Sequence, residues 1–347
     1  VAIVKGPYLQ RITSDSVAVM WETNVPADSC VGYGAGDPGL DLAFDSGLVT
    51  LHKIPLTGLQ PDTYYDYQVM SESVLSDPAR FITAPAPSRS FRFVVYGDSR
   101  SYPIAHAEVT RSIISSDPGI VFHTGDIVSR GRDYQTWGPE YFDPAGVLMM
   151  NAPFVPVLGN HEYGGAGPVW FFYFFDRPSD TGWFAMTYGN TRFIGLDSND
   201  TFSPGSPQHD WLLAELTSQE YQDATWHIVI FHHPPFTCTS GHGDNVAVQA
   251  HLVPLFEQYG VDITFQGHSH AYERYLHNGI HYVVTGGGGG PLYALAPDVI
   301  PPFRQFGRSV YHHCTADVDV AAHTLTVQAV DNTGQPFDRI ELSKAPW

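Results

Sequence analysis

Five short apolar runs in this chain each stop at a cluster of Gly, Asp, Asn or His, and no other feature limits the possible folds as much. Residues 91–96, 119–123, 154–158, 226–231 and 261–265 are five or six residues long and mostly apolar, which reads as strands. They lead into Gly97-Asp98-Ser99-Arg100, Gly125-Asp126, Gly159-Asn160-His161-Glu162, His232-His233-Pro234-Pro235 and Gly267-His268-Ser269-His270. Helical spacing lies between some of them, at Val109, Ile113 and Ile114, at Trp211, Leu212, Glu215 and Leu216, and at Leu252, Leu255, Phe256 and Tyr259. Strands alternating with helices indicate an α/β domain. In open α/β sheets ligands bind at the carboxyl ends of strands. Five ends of one sheet are therefore expected to converge.

The residues at those ends suit a metal. Asp98, Asp126 and Asn160 offer oxygen; His232, His268 and His270 offer nitrogen. That mixture fits a transition metal better than calcium, which takes oxygen alone. A carboxylate can bridge two cations, and a metal pair can hold both the attacking and the leaving oxygen of a phosphoryl transfer. The glycine before each ligand is read as the residue that lets the chain turn off the strand. Seventeen histidines occur in all, twelve of them between His227 and His323, which strengthens the metal reading. Phosphate-loop, nucleophile-elbow and H-E-x-x-H patterns are absent from the sequence.

Upstream, residues 1–84 read as an all-β sandwich. Val17, Val19 and Trp21 share one strand face, and Leu59-Gln60-Pro61-Asp62-Thr63-Tyr64-Tyr65-Asp66-Tyr67-Gln68-Val69 resembles a fibronectin type III strand corner. Ala84-Pro85-Ala86-Pro87-Ser88 reads as a stiff linker, placing the catalytic domain at 85–347. The tail from Tyr311 to Leu342 returns to strands, and Gly286 to Gly290 reads as a loop where backbone passes close to something. With 17 basic and 36 acidic residues the net charge is −19, which disfavours sequence-independent binding to nucleic acid. No apolar run reaches the length of a membrane span, so no membrane partner is expected. The three cysteines allow one intrachain disulfide, with Cys238–Cys314 the favoured pair. The expected location is secreted or periplasmic.

The ordered set of motifs resembles the calcineurin-like metallophosphoesterase superfamily, and Gly267-His268-Ser269-His270-Ala271-Tyr272-Glu273-Arg274 is similar to the corresponding block of its purple acid phosphatase branch. The resemblance implies a four-layer αββα domain behind the sandwich and two metal ions of iron, zinc or manganese. It implies a first metal on Asp98, Asp126 and His270, and a second on Asp126, Asn160, His232 and His268. His161 would be the catalytic histidine. His242 would assist it and His233 would face substrate. Apart from the resemblance, Arg100 is read as a catalytic residue stabilising charge on the phosphoryl oxygens and Arg130 as binding substrate phosphate. The implied chemistry is hydrolysis of small phosphate monoesters through in-line attack by a metal-bound hydroxide. A phosphodiesterase on the same site, or an inactive scaffold with a degenerate first metal site, are the alternatives.

The chain departs from the pattern at two positions. Ser129 stands where the purple branch has a tyrosine ligand, and Arg100 stands where most other members have the histidine of Asp-x-His. Beyond these, His123 is read as packed rather than ligating, Glu162 as orienting its neighbours, and Phe171 to Phe175 as core or pocket wall.

Overall fold

The computed structural model describes residues 1–164, 167–177, 181–296, 301 and 303–345. Six strands form the N-terminal unit. Its organising element is a long hairpin of Ser16–Gly34 against Asp41–Thr57. Register shifts between Glu22 and Ser29 interrupt the pairing, and such bulges bend a strand. The first half of Ser16–Gly34 therefore pairs with Ile3–Gln10 and the second half with Tyr64–Ser71. Tyr65 pins the corner, its hydroxyl accepting the Gln60 N–H at 3.0 Å.

Val17, Val19 and Trp21 do face one core, but Ala18 and Met20 on the opposite face are buried as well. The sandwich is covered there by the following domain, with Tyr8 and Met20 packing among Phe142, Phe171 and Phe174. Phe171 to Phe175 thus supplies core, chiefly through its buried members Phe171, Phe174 and Phe175.

Between the last sandwich strand, Ala79–Ile82, and the next strand, Phe91–Tyr96, the chain has no regular structure. Two sheets then stack face to face. One has the order Pro336–Ser343, Thr324–Asp331, His312–Asp319, Phe91–Tyr96, Ile120–His123, Phe154–Pro156. The other runs Phe184–Tyr188, Thr191–Gly195, Trp226–Ile230, Ile263–Gln266, Ile280–Thr285, Tyr272–His277, Arg304–Arg308. Phe93, Phe122, Phe193, Ile230 and Phe265 fill the space between them. Val109 and Ile113 cover the outer face of the first sheet, and Leu212, Leu216 and Phe256 that of the second. Strands buried on both faces read as continuous apolar runs, which is why these appeared in the sequence without alternation.

The converging strand ends come from two sheets rather than one. Phe91–Tyr96, Ile120–His123 and Phe154–Pro156 are mutually parallel in the first sheet, while Trp226–Ile230 and Ile263–Gln266 are parallel in the second. The expected Cys238–Cys314 disulfide is not formed; all three cysteines are free and buried. The Cys238 thiol donates to Glu273 Oε1 at 2.8 Å, and Cys314 sits on an inner strand beside Thr285.

A buried ion pair of the sandwich anchors hydrogen bonds that reach into the second domain. Lys5 Nζ bonds Glu22 Oε2, and Glu22 also accepts from Tyr134 (2.7 Å) and Tyr173 (3.2 Å) of the second domain. Removing one partner of a buried pair strands the other charge, at a cost of about 3–5 kcal/mol. Glu22→Ala should lower the unfolding free energy by about that much in urea titration, and Lys5→Met with Glu22→Leu should recover most of the loss.

Candidate metal centre

Six side chains meet where the two sheets' strand ends face each other. Asp98, Asp126 and Asn160 follow strands of the first sheet; His232, His268 and His270 follow strands of the second. Asp98, Asp126 and His232 bring donor atoms within 4.8 Å of one another, and His232, His233 and His268 do the same.

Of the glycines before the ligands, Gly125, with φ of 95°, makes the turn expected from the sequence, while Gly97, Gly159 and Gly267 do not. Other left-handed turns are made by the ligand residues themselves, with φ of 57° at Asp98, 56° at Asp126 and 67° at His268. Such a conformation costs an L-residue about 1–2 kcal/mol. Their neighbours are glycine mainly for closeness. A Cβ on Gly159 would strike the Asp126 backbone nitrogen and Oδ1, and one on Gly290 would lie 2.7 Å from the His270 ring. The Gly286 to Gly290 run is thus the expected close passage, with Gly288 N–H donating to Gly97 O (2.8 Å) and Gly290 N–H to Asp98 O (2.7 Å).

Hydrogen bonds overdetermine this strained arrangement. Glu162, fully buried, accepts the N–H groups of Asp126 (2.9 Å), Gly159 (2.8 Å) and Ile127 (2.8 Å). Burial and the nearby Asp126 charge push its carboxyl up to about 7, against the pull of those donors. Glu140, from a π-helical turn at Gly138–Phe142, takes Ser129 N–H and Oγ–H (both 2.6 Å) and Ser101 N–H (3.2 Å). Ser129 is therefore turned toward Glu140. Sequence reasoning missed Glu140, because a π-turn carries no periodic signal. Glu273 buttresses the other side, accepting Cys238 N–H (3.0 Å), Thr237 Oγ–H (2.6 Å) and Tyr275 O–H (2.8 Å).

The donor set around Asn160 fits a cation. His232 Nδ1 donates to Thr124 O at 2.8 Å, which leaves the Nε2 lone pair facing inward. Nε2 lies 3.1 Å from Asn160 Oδ1, 3.2 Å from His268 Nδ1 and 3.4 Å from Asp126 Oδ1. His268 Nδ1 lies 3.0 Å from Asn160 Oδ1. Four acceptors this close repel each other unless a positive charge sits among them. Burial lowers His232, but the Asp126 carboxylate outweighs it and holds the ring up at about 9, so a proton sits on that lone pair at neutral pH unless a cation displaces it. Asp126 is in turn kept well below the usual carboxylate range by His232 and His161, despite burial. His268 is pushed far down by burial and then by its histidine neighbours.

His161 Nδ1 donates to Ser129 O at 2.7 Å, and Nε2 stands 3.7 Å from Asp126 Oδ2. His242 stacks on His268 with ring centroids 3.8 Å apart. His233 bonds Ser198 Oγ through Nδ1 at 2.8 Å, and burial, then His232, pushes it down to about 3. Arg130 is not turned into the cluster: it is two-thirds exposed and pairs with Asp133 at 3.7 Å. His123 is buried and packed, bonding Ser99 Oγ at 3.1 Å. Much of the histidine enrichment is likewise structural; His312 bonds Val310 O and Thr285 Oγ1 inside the sheet.

A profile of calcineurin-like phosphoesterases matches residues 91–272, and one of the purple acid phosphatase N-terminal domain matches residues 7–83. The first covers more than half of the 347 residues, and the chain belongs to the calcineurin-like phosphoesterase family. An uncharacterized protein of Mycobacterium tuberculosis is 26% identical over 65% of this chain and 51% of its own length. The phosphoenolpyruvate phosphatase of Allium cepa is 26% identical over 100% of this chain and 82% of its own. The fold is that of purple acid phosphatase PPD1 from yellow lupin, with a TM-score of 0.85 at 21% identity over 98% of this chain and 74% of that one. The chain spans about half the length of the first curated relatives it matches. Among the described residues no helix is long and apolar enough to cross a membrane.

Glu162 is taken up by backbone N–H groups and fixes the backbone of both Asp126 and Gly159. Loss of such an outer partner weakens metal affinity by about 10–100-fold. Glu162→Gln should show a drop of that size in competition with a fluorescent chelator.

Proposed function

We propose that the protein hydrolyses small phosphate monoesters with a metal held by Asp126, Asn160, His232 and His268. The observation that carries this reading is the pairing of that acceptor-lined cluster with His161. The His161 ring is fixed by its bond to Ser129 O, so only Nε2 is left for the reaction. A divalent ion bound there would supply a Lewis acid for the phosphoryl group and acidify water. The phosphatase names of the Allium cepa relative and of purple acid phosphatase 1 from Ipomoea batatas support the monoester class.

The chain's own residues then have defined tasks. His161 Nε2, about a third exposed and beside Asp126, delivers a proton to the leaving oxygen. Arg100, 13% exposed, directs fixed N–H donors at the same space and can hold two phosphoryl oxygens. His242 and His233 both pack against the His268 ring, and burial lowers both below the ordinary histidine value, so each can meet the substrate as a neutral ring. We also assign the protein to a secreted or periplasmic location.

Comparing aryl phosphate monoesters with aryl diesters tests the class: faster turnover of the diester, or of neither, overturns it. A positioned acid contributes about 10²–10⁴-fold. His161→Ala should lose that factor on alkyl phosphates and much less on nitrophenyl phosphate, with metal content unchanged. Equal losses on both would remove His161 from the leaving-group role.

A further inference from the structure

We infer that the Arg100 guanidinium is the resident cation of the first metal position, so that each chain binds one metal ion, at the Asn160 position. This deepens the phosphatase reading and rests on it for its catalytic meaning.

The first position does not fit a metal. Its three donors would be Asp98, Asp126 and His270. His270 donates from Nδ1 to Pro291 O at 2.7 Å, which turns the Nε2 lone pair inward. That nitrogen lies 3.3 Å from Asp98 Oδ1 and equally 3.3 Å from Arg100 Nη2, which donates to it. Asp126 divides its two oxygens: Oδ1 faces His232, while Oδ2 faces Arg100 Nε at 3.4 Å. Arg100 Nε is buried and has no hydrogen-bond partner among the described residues, so the ion pair with Asp126 is what compensates it. A guanidinium stays charged at any physiological pH. A dication cannot share this space with it, since both would draw on Asp126 Oδ2 and His270 Nε2.

The replacement ligands that would argue otherwise are engaged elsewhere. Ser129 is bonded to Glu140. Tyr134 O–H is bonded to Glu22, and Tyr163 O–H to Asp197. Tyr293 instead closes the position from above: its ring stacks on His270 with centroids 4.4 Å apart, and its hydroxyl interacts with Arg100. The substitution is therefore consistent across the chain. The anionic tyrosine is gone, the histidine of Asp-x-His is gone, and one fixed positive charge stands where those ligands would have held a metal.

The test is metal stoichiometry on the whole protein, loaded with Mn²⁺, dialysed, and measured by mass spectrometry alongside electron paramagnetic resonance. Wild type should hold one Mn²⁺ per chain with an uncoupled six-line spectrum. Arg100→His restores Asp-x-His and should raise the content to two, with the spectrum of a spin-coupled pair. Arg100→Ala, which only empties the space, should bind a second ion more weakly than Arg100→His. Wild type carrying two ions with a coupled spectrum, or none, would overturn the inference, as would both variants staying at one ion while melting as folded proteins. One ion without monoester turnover would instead remove the phosphatase reading and leave this one standing.

Discussion

The site depends on a buried carboxylate that is taken up by backbone N–H groups. Glu162 collects backbone N–H groups from the ends of two adjacent parallel strands. Those groups point where a sheet can no longer satisfy them, and leaving buried backbone donors unpaired is costly. By accepting them at one point, Glu162 fixes how far apart the Asp126 and Asn160 loops stand. Asp126 can then keep a left-handed backbone with both carboxylate oxygens aimed at cations. Glu140 and Glu273 do the same for neighbouring loops. Three acidic side chains are thus spent on geometry around a centre whose chemistry needs positive charge.

This geometry explains which parts of the site could be read in the sequence. The ligand residues were legible because each sits within three residues of a glycine or proline and shortly after a strand, so type and place agree. Glu162 was legible only as a neighbour of Asn160 and His161. Glu140 lies in a π-turn and Tyr293 in a loop beyond the glycine run; each reaches the site through tertiary packing, which leaves no local pattern. Arg130 shows the converse. It was expected to face substrate, but the turn after Ser129 sends its side chain to Asp133 and solvent.

The fold was legible in its layers more than in its pairings. Uniformly apolar runs signalled strands covered on both sides, and the αββα arrangement supplies that cover. That the strand ends belong to two facing sheets cannot be read from the runs themselves, because register across a sandwich is set by side chains such as Phe93 and Phe193, whose rings meet at 5.1 Å. The cysteines misled for a related reason. Cys238 and Cys314 lie in different layers of packing, each thiol occupied by a polar neighbour.

The seam between the sandwich and the catalytic sheets has a consequence for how the chain comes apart. Besides the Glu22 cluster, Tyr8 O–H donates to Phe174 O, Gln10 Nε2 to Phe154 O and Tyr67 O–H to Met150 O. These bonds land on the elements that carry the outer helices of the first sheet. A protease that cut the connecting segment would leave the two pieces clasped, since the contacts do not run through the linker. The sandwich is a structural wall of the α/β domain, and a shortened chain beginning after it would expose Phe142, Phe174 and Phe154 to water together.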